Sequence, residues 1–340
     1  MDSDYKKLIS KESLLQAWQN FLSGKTNKKD AIDFWRNLED NLFELHHDLK
    51  ENNYQHGKYE KFIIRDPKRR EIHKANVRDR ITHQLIFSYL RPIFEKRFIF
   101  DSYASRVAKG THRAVQRLRS FCKRENSRGR QGCWILKCDI EKFFDSIDHQ
   151  ILFSIIRKQV KTPDILGLIY KVIKSFEIKP NKGLPLGNLT SQLFANIYLH
   201  EQDYFIKHTL RLKYYIRFND DFVIVHKDKN FLESRIFLIQ KFLSQKLLLS
   251  LPKNKIFLRN FFWGVDFLGY IVLPNGILLR AKTRKRMLNK IKIKRNNYKG
   301  GEFHFHRLCQ TISSYFGILK HCASFKLRQK IYEIIGSVIY

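Results

Sequence analysis

Three aspartates stand where they could act together: Asp139, which closes the apolar run Trp134-Ile135-Leu136-Lys137-Cys138, and the adjacent pair Asp220-Asp221. The run before Asp139 reads as a short strand. The pair falls between two further strand-like runs, Lys213–Phe218 and Phe222–His226, and so sits in a tight hairpin turn. Asn219 and Asp220 are residue types that accept the positive φ such a turn demands. A turn of this kind lifts carboxylates above a sheet edge, and a strand ending at Asp139 beside it would gather all three at one spot. Hard carboxylate oxygens suit Mg²⁺. Two such ions about 4 Å apart serve nucleotidyl transfer, one activating a 3′-oxygen and one holding a triphosphate. On the pair alone, a plain polar turn is the competing reading, because such turns are common.

The elements needed to position these residues are legible in outline. From about Leu14 to Leu49 the pattern is helical, with Phe34, Leu38, Leu42 and Leu45 at three- and four-residue steps. Lys58 to Lys74 is strand-like and basic, with a turn at Asp66-Pro67, and a second helical run covers Arg78 to Phe94. Ser120 to Gly132, containing Ser127-Arg128-Gly129-Arg130, reads as a basic loop. Asp148 is placed to cap a helix running through Ile155-Ile156. Pro180 to Gly187 breaks the chain before a helix over Asn188 to His208, and a basic helical region fills Thr283 to Tyr340. Strands and helices interleave without regular βαβ spacing, so the fold class expected is α+β.

Charge identifies the partner. The 340 residues hold 65 Lys+Arg against 32 Asp+Glu, a net +33, which repels itself unless a polyanion is near. Hydrophobic residues at 43% provide for a substantial core and argue against global disorder. No apolar run approaches the roughly 18 residues of a spanning helix, and Met1-Asp2-Ser3-Asp4-Tyr5-Lys6-Lys7 opens no secretory signal, so no membrane partner is expected. Five cysteines without a CxxC pair point to a reduced, cytoplasmic setting. His304, His306, Cys309, His321 and Cys322 crowd together, but their spacing fits no standard zinc finger, and core or RNA-facing roles explain them better.

The residues around the carboxylates resemble reverse transcriptases of the bacterial group II intron and retroelement lineage. Asp139-Ile140-Glu141-Lys142-Phe143-Phe144-Asp145-Ser146-Ile147-Asp148-His149 is similar to that family's first palm motif, and Tyr215-Ile216-Arg217-Phe218-Asn219-Asp220-Asp221-Phe222 to its second. The resemblance implies a right-hand polymerase: a helical extension over 1–57, fingers over 58–134, a palm with an antiparallel sheet over 135–276 and a helical thumb over 277–340. It implies two Mg²⁺ ions held by Asp139 with Ile140 beside it, Asp220 and Asp221, and Phe144 as an aromatic gate against the 2′-hydroxyl. Arg69-Arg70 through Asp79-Arg80 is similar to the first fingers motif, which sets Arg70 and Arg80 on the triphosphate. Ser102-Tyr103-Ala104-Ser105-Arg106 through His112 resembles the next, with Arg106 and Lys109 on phosphate. Leu251-Pro252-Lys253-Asn254-Lys255 supplies, by the same resemblance, the lysine that protonates pyrophosphate: Lys255, or alternatively Lys253. Phe267-Leu268-Gly269 corresponds to the primer-grip hairpin.

The segment Gly183-Leu184-Pro185-Leu186-Gly187-Asn188-Leu189-Thr190-Ser191-Gln192 is similar in pattern to diversity-generating retroelement and antiphage-defence enzymes. Leu186 and Gln192 stand where ordinary relatives carry Gln and Pro, which implies looser base selection in a nucleotide pocket that includes Gly187. Phe218 and Asn219 replace the usual tyrosine and apolar residue before the aspartate pair. The implied partners are an RNA template, a DNA or RNA primer, deoxynucleotides, a cognate non-coding RNA, and an accessory protein or second polymerase subunit. Nothing after Tyr340 would supply an intron-type DNA-binding and endonuclease tail. Two other readings compete: a catalytically idle RNA-binding or maturase-like protein, opposed by the three intact aspartates, and an RNA polymerase with the same palm, opposed by Phe144.

Overall fold

The computed structural model describes residues 2–66, 68–126, 132–300 and 305–339. Four helices open the chain: α1 (Ser3–Leu8), α2 (Lys11–Leu22), α3 (Lys29–Arg36) and α4 (Leu38–Lys50). A hairpin of β1 (Glu60–Ile64) and β2 (Arg70–Lys74) precedes α5 (Val77–Glu95) and α6 (Thr111–Asn126). Strand β3 (Trp134–Asp139) leads through one turn of helix, α7 (Phe143–Ser146), into α8 (His149–Gln159) and α9 (Pro163–Lys174). Helix α10 (Leu189–Tyr204) runs on into a π-helical turn, Phe205–Thr209. The hairpin β4 (Tyr214–Phe218) and β5 (Asp221–His226) is followed by α11 (Lys229–Lys246) and β6 (Ile256–Asn260). Three short strands, β7 (Val265–Phe267), β8 (Tyr270–Leu273) and β9 (Gly276–Leu279), form a meander. The helices α12 (Ala281–Lys299), α13 (Phe305–Leu319) and α14 (Phe325–Ile339) complete the described chain.

The central sheet is antiparallel with the order β4-β5-β3-β6. Side chains alternate across it, and each face has its own core. Leu136, Cys138, Tyr215, Phe222 and Ile224 join a cluster with α5, α8, α9, α10 and the N-terminal helices. Ile135, Ile216, Val223 and Val225 join a second cluster with α6, the β7–β9 meander and residues of α12–α14 such as Met287, Ile291, Leu319 and Ile331. Both faces are therefore buried, which explains why the strands read as continuous apolar runs.

Local signals hold where they are strong. Asp148 caps α8, its carboxylate accepting from the Gln150 and Ile151 amides at 3.0 and 3.1 Å. The expected continuous helical stretch from Leu14 to Leu49 is three helices, parted around Gly24 (φ 70°) and at Asn37. The expected loop from Ser120 is a correction: α6 continues to Asn126. Val115, Leu118, Phe121 and Cys122 recur at helical spacing into the second core, while Lys123 and Arg124 sit in the last turn, where cations favour the helix dipole. Ser127-Arg128-Gly129-Arg130, Pro67, His304 and Tyr340 lie outside the described residues. Among the described residues no helix is long and apolar enough to cross a membrane.

The β1–β2 hairpin is exposed along β1. Near its tip Asp66 reaches helix α12, its carboxylate accepting from Lys290 Nζ at 3.0 Å with Arg286 Nε at 3.6 Å.

Candidate active site

Asp139 ends β3 directly opposite Asp221, which begins β5, and Asp220 lies in the two-residue turn between β4 and β5. Asn219 takes the left-handed φ (52°) of that turn, while Asp220 is not among the residues with positive φ. The asparagine that departs from the family pattern thus occupies a conformation its side chain tolerates well. The Ile140 amide donates to the Asp220 carbonyl at 3.2 Å, tying the end of β3 to the turn. Ile140 itself is buried, so it meets the cluster through its main chain.

The electrostatics of the cluster are those of like charges held together. Burial, with the negative charge of Asp139 second, raises Asp220 to about 6. Asp221 is also raised, again chiefly by burial, against the opposing pull of Lys137. Lys137 Nζ lies 3.5 Å from Asp221 Oδ1 and donates to the Asp266 carbonyl at 2.9 Å. Asp221 Oδ1 is buried and has no hydrogen-bond partner. Lys255 Nζ donates to Asp139 Oδ2 at 2.5 Å, and that bond raises the lysine above its ordinary value.

Among the described residues no group of three or more His, Cys, Asp or Glu side chains closes into a metal cage. The donor set nevertheless fits a hard cation that keeps water and substrate phosphate in its shell, as Mg²⁺ does. All its side-chain donors are carboxylate oxygens, burial raises two of the acids, and Asp221 Oδ1 is buried with no hydrogen-bond partner, Lys137 at 3.5 Å being its ion-pair neighbour. The histidines and cysteines considered for zinc form no such group among the described residues.

A cavity of about 670 Å³ opens on Asp221 and is lined by Lys68, Arg70, Leu268, Gly269, Lys282 and Arg286, among others. Arg70 is thus brought to the cluster, and its charge acts on Asp220. Leu268 (φ 51°) and Gly269 (φ 88°) form the turn between Phe267 and Tyr270, the pair of positive φ values of a type I′ hairpin. Phe267 is fully buried and serves the core.

The segment before α10 is pinned to the β1–β2 hairpin. The Leu186 carbonyl accepts from the His73 amide at 2.9 Å, and Asn188 Nδ2 donates to the His73 carbonyl at 2.7 Å. Gly187 has φ 109°, and a Cβ there would lie 2.6 Å from Ile72 Cγ2, so only glycine fits without displacement. Gln192 is exposed on α10, and Phe144 is half-buried, its carbonyl accepting from the Leu184 amide at 2.9 Å.

Three expected phosphate contacts are engaged elsewhere. Arg80 pairs with Asp30, stacks over Phe21 and lines a separate cavity with Asp30 and Lys74. Arg106 is almost wholly buried and donates to Glu95 at 2.8 Å and to the Ile99 and Ser102 carbonyls at 2.7 and 3.0 Å. Lys109 donates to the Phe100 carbonyl at 2.7 Å and lies 3.3 Å from the centre of the Phe100 ring. Sequence reasoning missed Lys137, Arg286 and the buried Arg217. Arg217 did carry a signal, as the one charged residue in Tyr214-Tyr215-Ile216-Arg217-Phe218, a strand otherwise built for burial.

The family described as reverse transcriptase (RNA-dependent DNA polymerase) matches residues 61–272. The group II intron-encoded protein LtrA of Lactococcus lactis is 28% identical over 214 residues, 59% of this chain and 35% of that protein. Protein YkfC of Escherichia coli is 28% identical over 137 residues, 38% of this chain and 35% of that protein. The chain therefore spans about a third of the length of these relatives. Among solved structures, apo telomerase from Candida tropicalis truncated from its C-terminal domain is similar at a TM-score of 0.50 and 14% identity. That match covers 67% of this chain and 55% of the other, and the likeness is one of fold, that of a right-hand polymerase.

Proposed function

Because the chain belongs to the reverse transcriptase family, we propose that it copies RNA into DNA at Asp139, Asp220 and Asp221. The observation that carries this reading is the register that sets Asp139 opposite Asp221, with Asp220 in the turn beside them. Asp139, Asp220 and Asp221 would hold two Mg²⁺ ions, with the main chain at Ile140 adjacent. Bound there, the metals supply the charge that activates a primer 3′-oxygen and stabilises the triphosphate. The 3′-hydroxyl gives its proton to water, its oxygen attacks the α-phosphorus to form a new phosphodiester bond, and the bond to the bridging oxygen breaks as pyrophosphate leaves. Lys255, kept protonated by Asp139, is the proton donor we assign to that leaving group. Arg70 faces the same cavity as Asp221 and is assigned to the triphosphate. Phe144 is assigned to exclusion of the 2′-hydroxyl.

In this reading residues 58–134 are the fingers, 135–276 the palm and 277–340 the thumb, with 1–57 a helical extension. The net charge of +33 supports an RNA template and a primer as partners, including a cognate non-coding RNA. Leu186 and Gln192 support an error-prone enzyme of the diversity-generating kind, with antiphage defence the other biological setting. A variable-repeat gene beside the coding sequence would favour the first, and a defence island the second.

The test is primer extension on RNA with Mg²⁺ and labelled deoxynucleotides, comparing the wild type with Asp220→Ala and sequencing the products. Extension lost on substitution supports the polymerase, and the error spectrum reports on Leu186 and Gln192. A folded protein that extends nothing, even with RNA co-purified from its host, would sink it.

A further inference from the structure

Arg217 is among the largest fully buried side chains of the described residues. A guanidinium taken out of water is tolerated only if its charge is paired and its donors are used, and here all five N–H groups have an acceptor. Nε donates to Asp203 Oδ1 and Nη2 to Asp203 Oδ2, both at 2.7 Å, a two-point clamp between fully buried partners. Nη2 also donates to Ser102 Oγ at 3.1 Å, and Nη1 to Asn196 Oδ1 at 3.2 Å. The remaining donor, again from Nη1, goes to the Asn219 carbonyl at 3.2 Å.

The first four bonds fasten the guanidinium to α10 and to the segment around Ser102, and the fifth fastens the turn to the guanidinium. Asn219 is the residue whose left-handed φ starts the turn, and Asp220 follows it. Tyr215 steadies the clamp from the same strand, its hydroxyl donating to Asp203 Oδ1 at 2.7 Å. The main chain of Arg217 is held as well, its amide donating to the Asp101 carbonyl at 3.0 Å and its carbonyl accepting from Tyr103 at 2.9 Å. Asn196 and Asp203 lie on α10, the helix that follows the Leu186-Gly187 segment. One buried ion pair therefore joins that helix to the turn bearing Asp220.

Anchoring β4 alone would not call for a charge, because well-packed apolar residues commonly replace buried ion pairs with no loss of stability. What an apolar residue cannot do is donate a hydrogen bond to the Asn219 carbonyl. We propose that Arg217, clamped by Asp203, is a positioning residue for nucleotidyl transfer: it fixes the main chain at Asn219 and thereby aims the Asp220 carboxylate. This rests on the polymerase reading above.

The test separates position from stability. Either R217M or D203L alone leaves a charge unpaired in the core and should lower the melting temperature. Together they should restore it toward the wild-type value. In the restored double variant kcat is expected to fall about 100-fold, the scale of a misplacement near 1 Å, while KM for deoxynucleotide and affinity for template–primer stay within about twofold. Mn²⁺ titration followed by electron paramagnetic resonance, with no nucleotide present, should show metal affinity weakened about tenfold. Should the double variant not fold, R217K decides, since it keeps a charge for Asp203 but lacks the fork whose Nε and Nη2 hold Asp203 while Nη1 holds the Asn219 carbonyl, and the same fall in kcat is expected. A folded variant with wild-type kcat and Mn²⁺ affinity overturns the inference and leaves the polymerase standing. A wild type that neither extends a primer nor binds Mn²⁺ at this cluster sinks both.

Discussion

Replacing Asp220 by Asn should make the metal-free protein more stable, and the gain should depend on pH. Asp220 is raised from the ordinary aspartate value of 3.8 to about 6, first by burial and then by Asp139. That difference makes its ionised form about 3 kcal/mol less favourable in the folded chain than in the unfolded one. Water reaching the partly exposed turn trims the figure toward about 1–2 kcal/mol. The folded value lies above the unfolded one, so the folded chain holds the extra proton between them. Stability is consequently lost as pH rises from about 4 to about 6. The neutral amide of the variant would carry no charge and escape that loss. The measurement is urea denaturation in EDTA at pH 7.5 and at pH 4, wild type against Asp220→Asn. The variant should be more stable at the higher pH by about 1–2 kcal/mol, with the gap nearly closed at the lower. Adding Mg²⁺ at pH 7.5 should stabilise the wild type and narrow the gap, because a ligand that binds only the folded form shifts the balance by mass action. A variant no more stable than wild type at pH 7.5, or a gap indifferent to pH, would refute the electrostatic account.

Arg80→Ala should cost about 1–2 kcal/mol of stability through its contacts with Asp30 and Phe21, with KM for deoxynucleotides unchanged. A tenfold rise in that KM at unaltered melting temperature would return Arg80 to the triphosphate. Phe144→Ala should reduce discrimination against ribonucleotides at least about tenfold and, as its ring is half-buried, lower stability by about 1–2 kcal/mol. Single-nucleotide incorporation with paired dNTP and rNTP measures the first, and unchanged selectivity would remove Phe144 from the gate. Asp66→Asn frees Lys290 and Arg286 for phosphate. The slope of log affinity against log salt for a template–primer duplex should steepen by about one to two, and an unchanged slope would deny those cations a role.

What could be read in the sequence was what local rules determine. Trp134 to Asp139 and the hairpin around Asn219-Asp220 announce themselves by apolar runs and turn residues, and Asp148 by its position before a helix. The α+β class followed from the order of those elements. The limits were tertiary. Arg80, Arg106 and Lys109 have the charge a phosphate contact needs, and nothing in their neighbourhood reveals acceptors at Asp30, 50 residues away, at Glu95 or at the Phe100 carbonyl. Arg217 lies within a motif, and only the folded chain brings Asp203, Asn196, Ser102 and Asn219 around it. Ser120 to Asn126 reads as loop together with the basic Ser127-Arg128-Gly129-Arg130, whereas the helix is held by the burial of Phe121 and Cys122 in the second core. Asn219 seemed anomalous as a side chain and is ordinary as a backbone.

The second core also bears on how the molecule can deform. Met287, Ile291, Leu319 and Ile331 from the C-terminal helices share one apolar cluster with Ile135 and Val223 of the central sheet. Each large side chain of that kind withdrawn from its core costs about 1.5–3 kcal/mol. The bridge from Asp66 to Lys290 and Arg286, with all three side chains about half exposed, is worth about 0–1 kcal/mol. On the polymerase reading proposed above, a duplex entering between them breaks the bridge first. On that reading the C-terminal helices are the stiff side of the cleft, and the tip of the β1–β2 hairpin, whose base is tied to Leu186 and Asn188, is the part that gives.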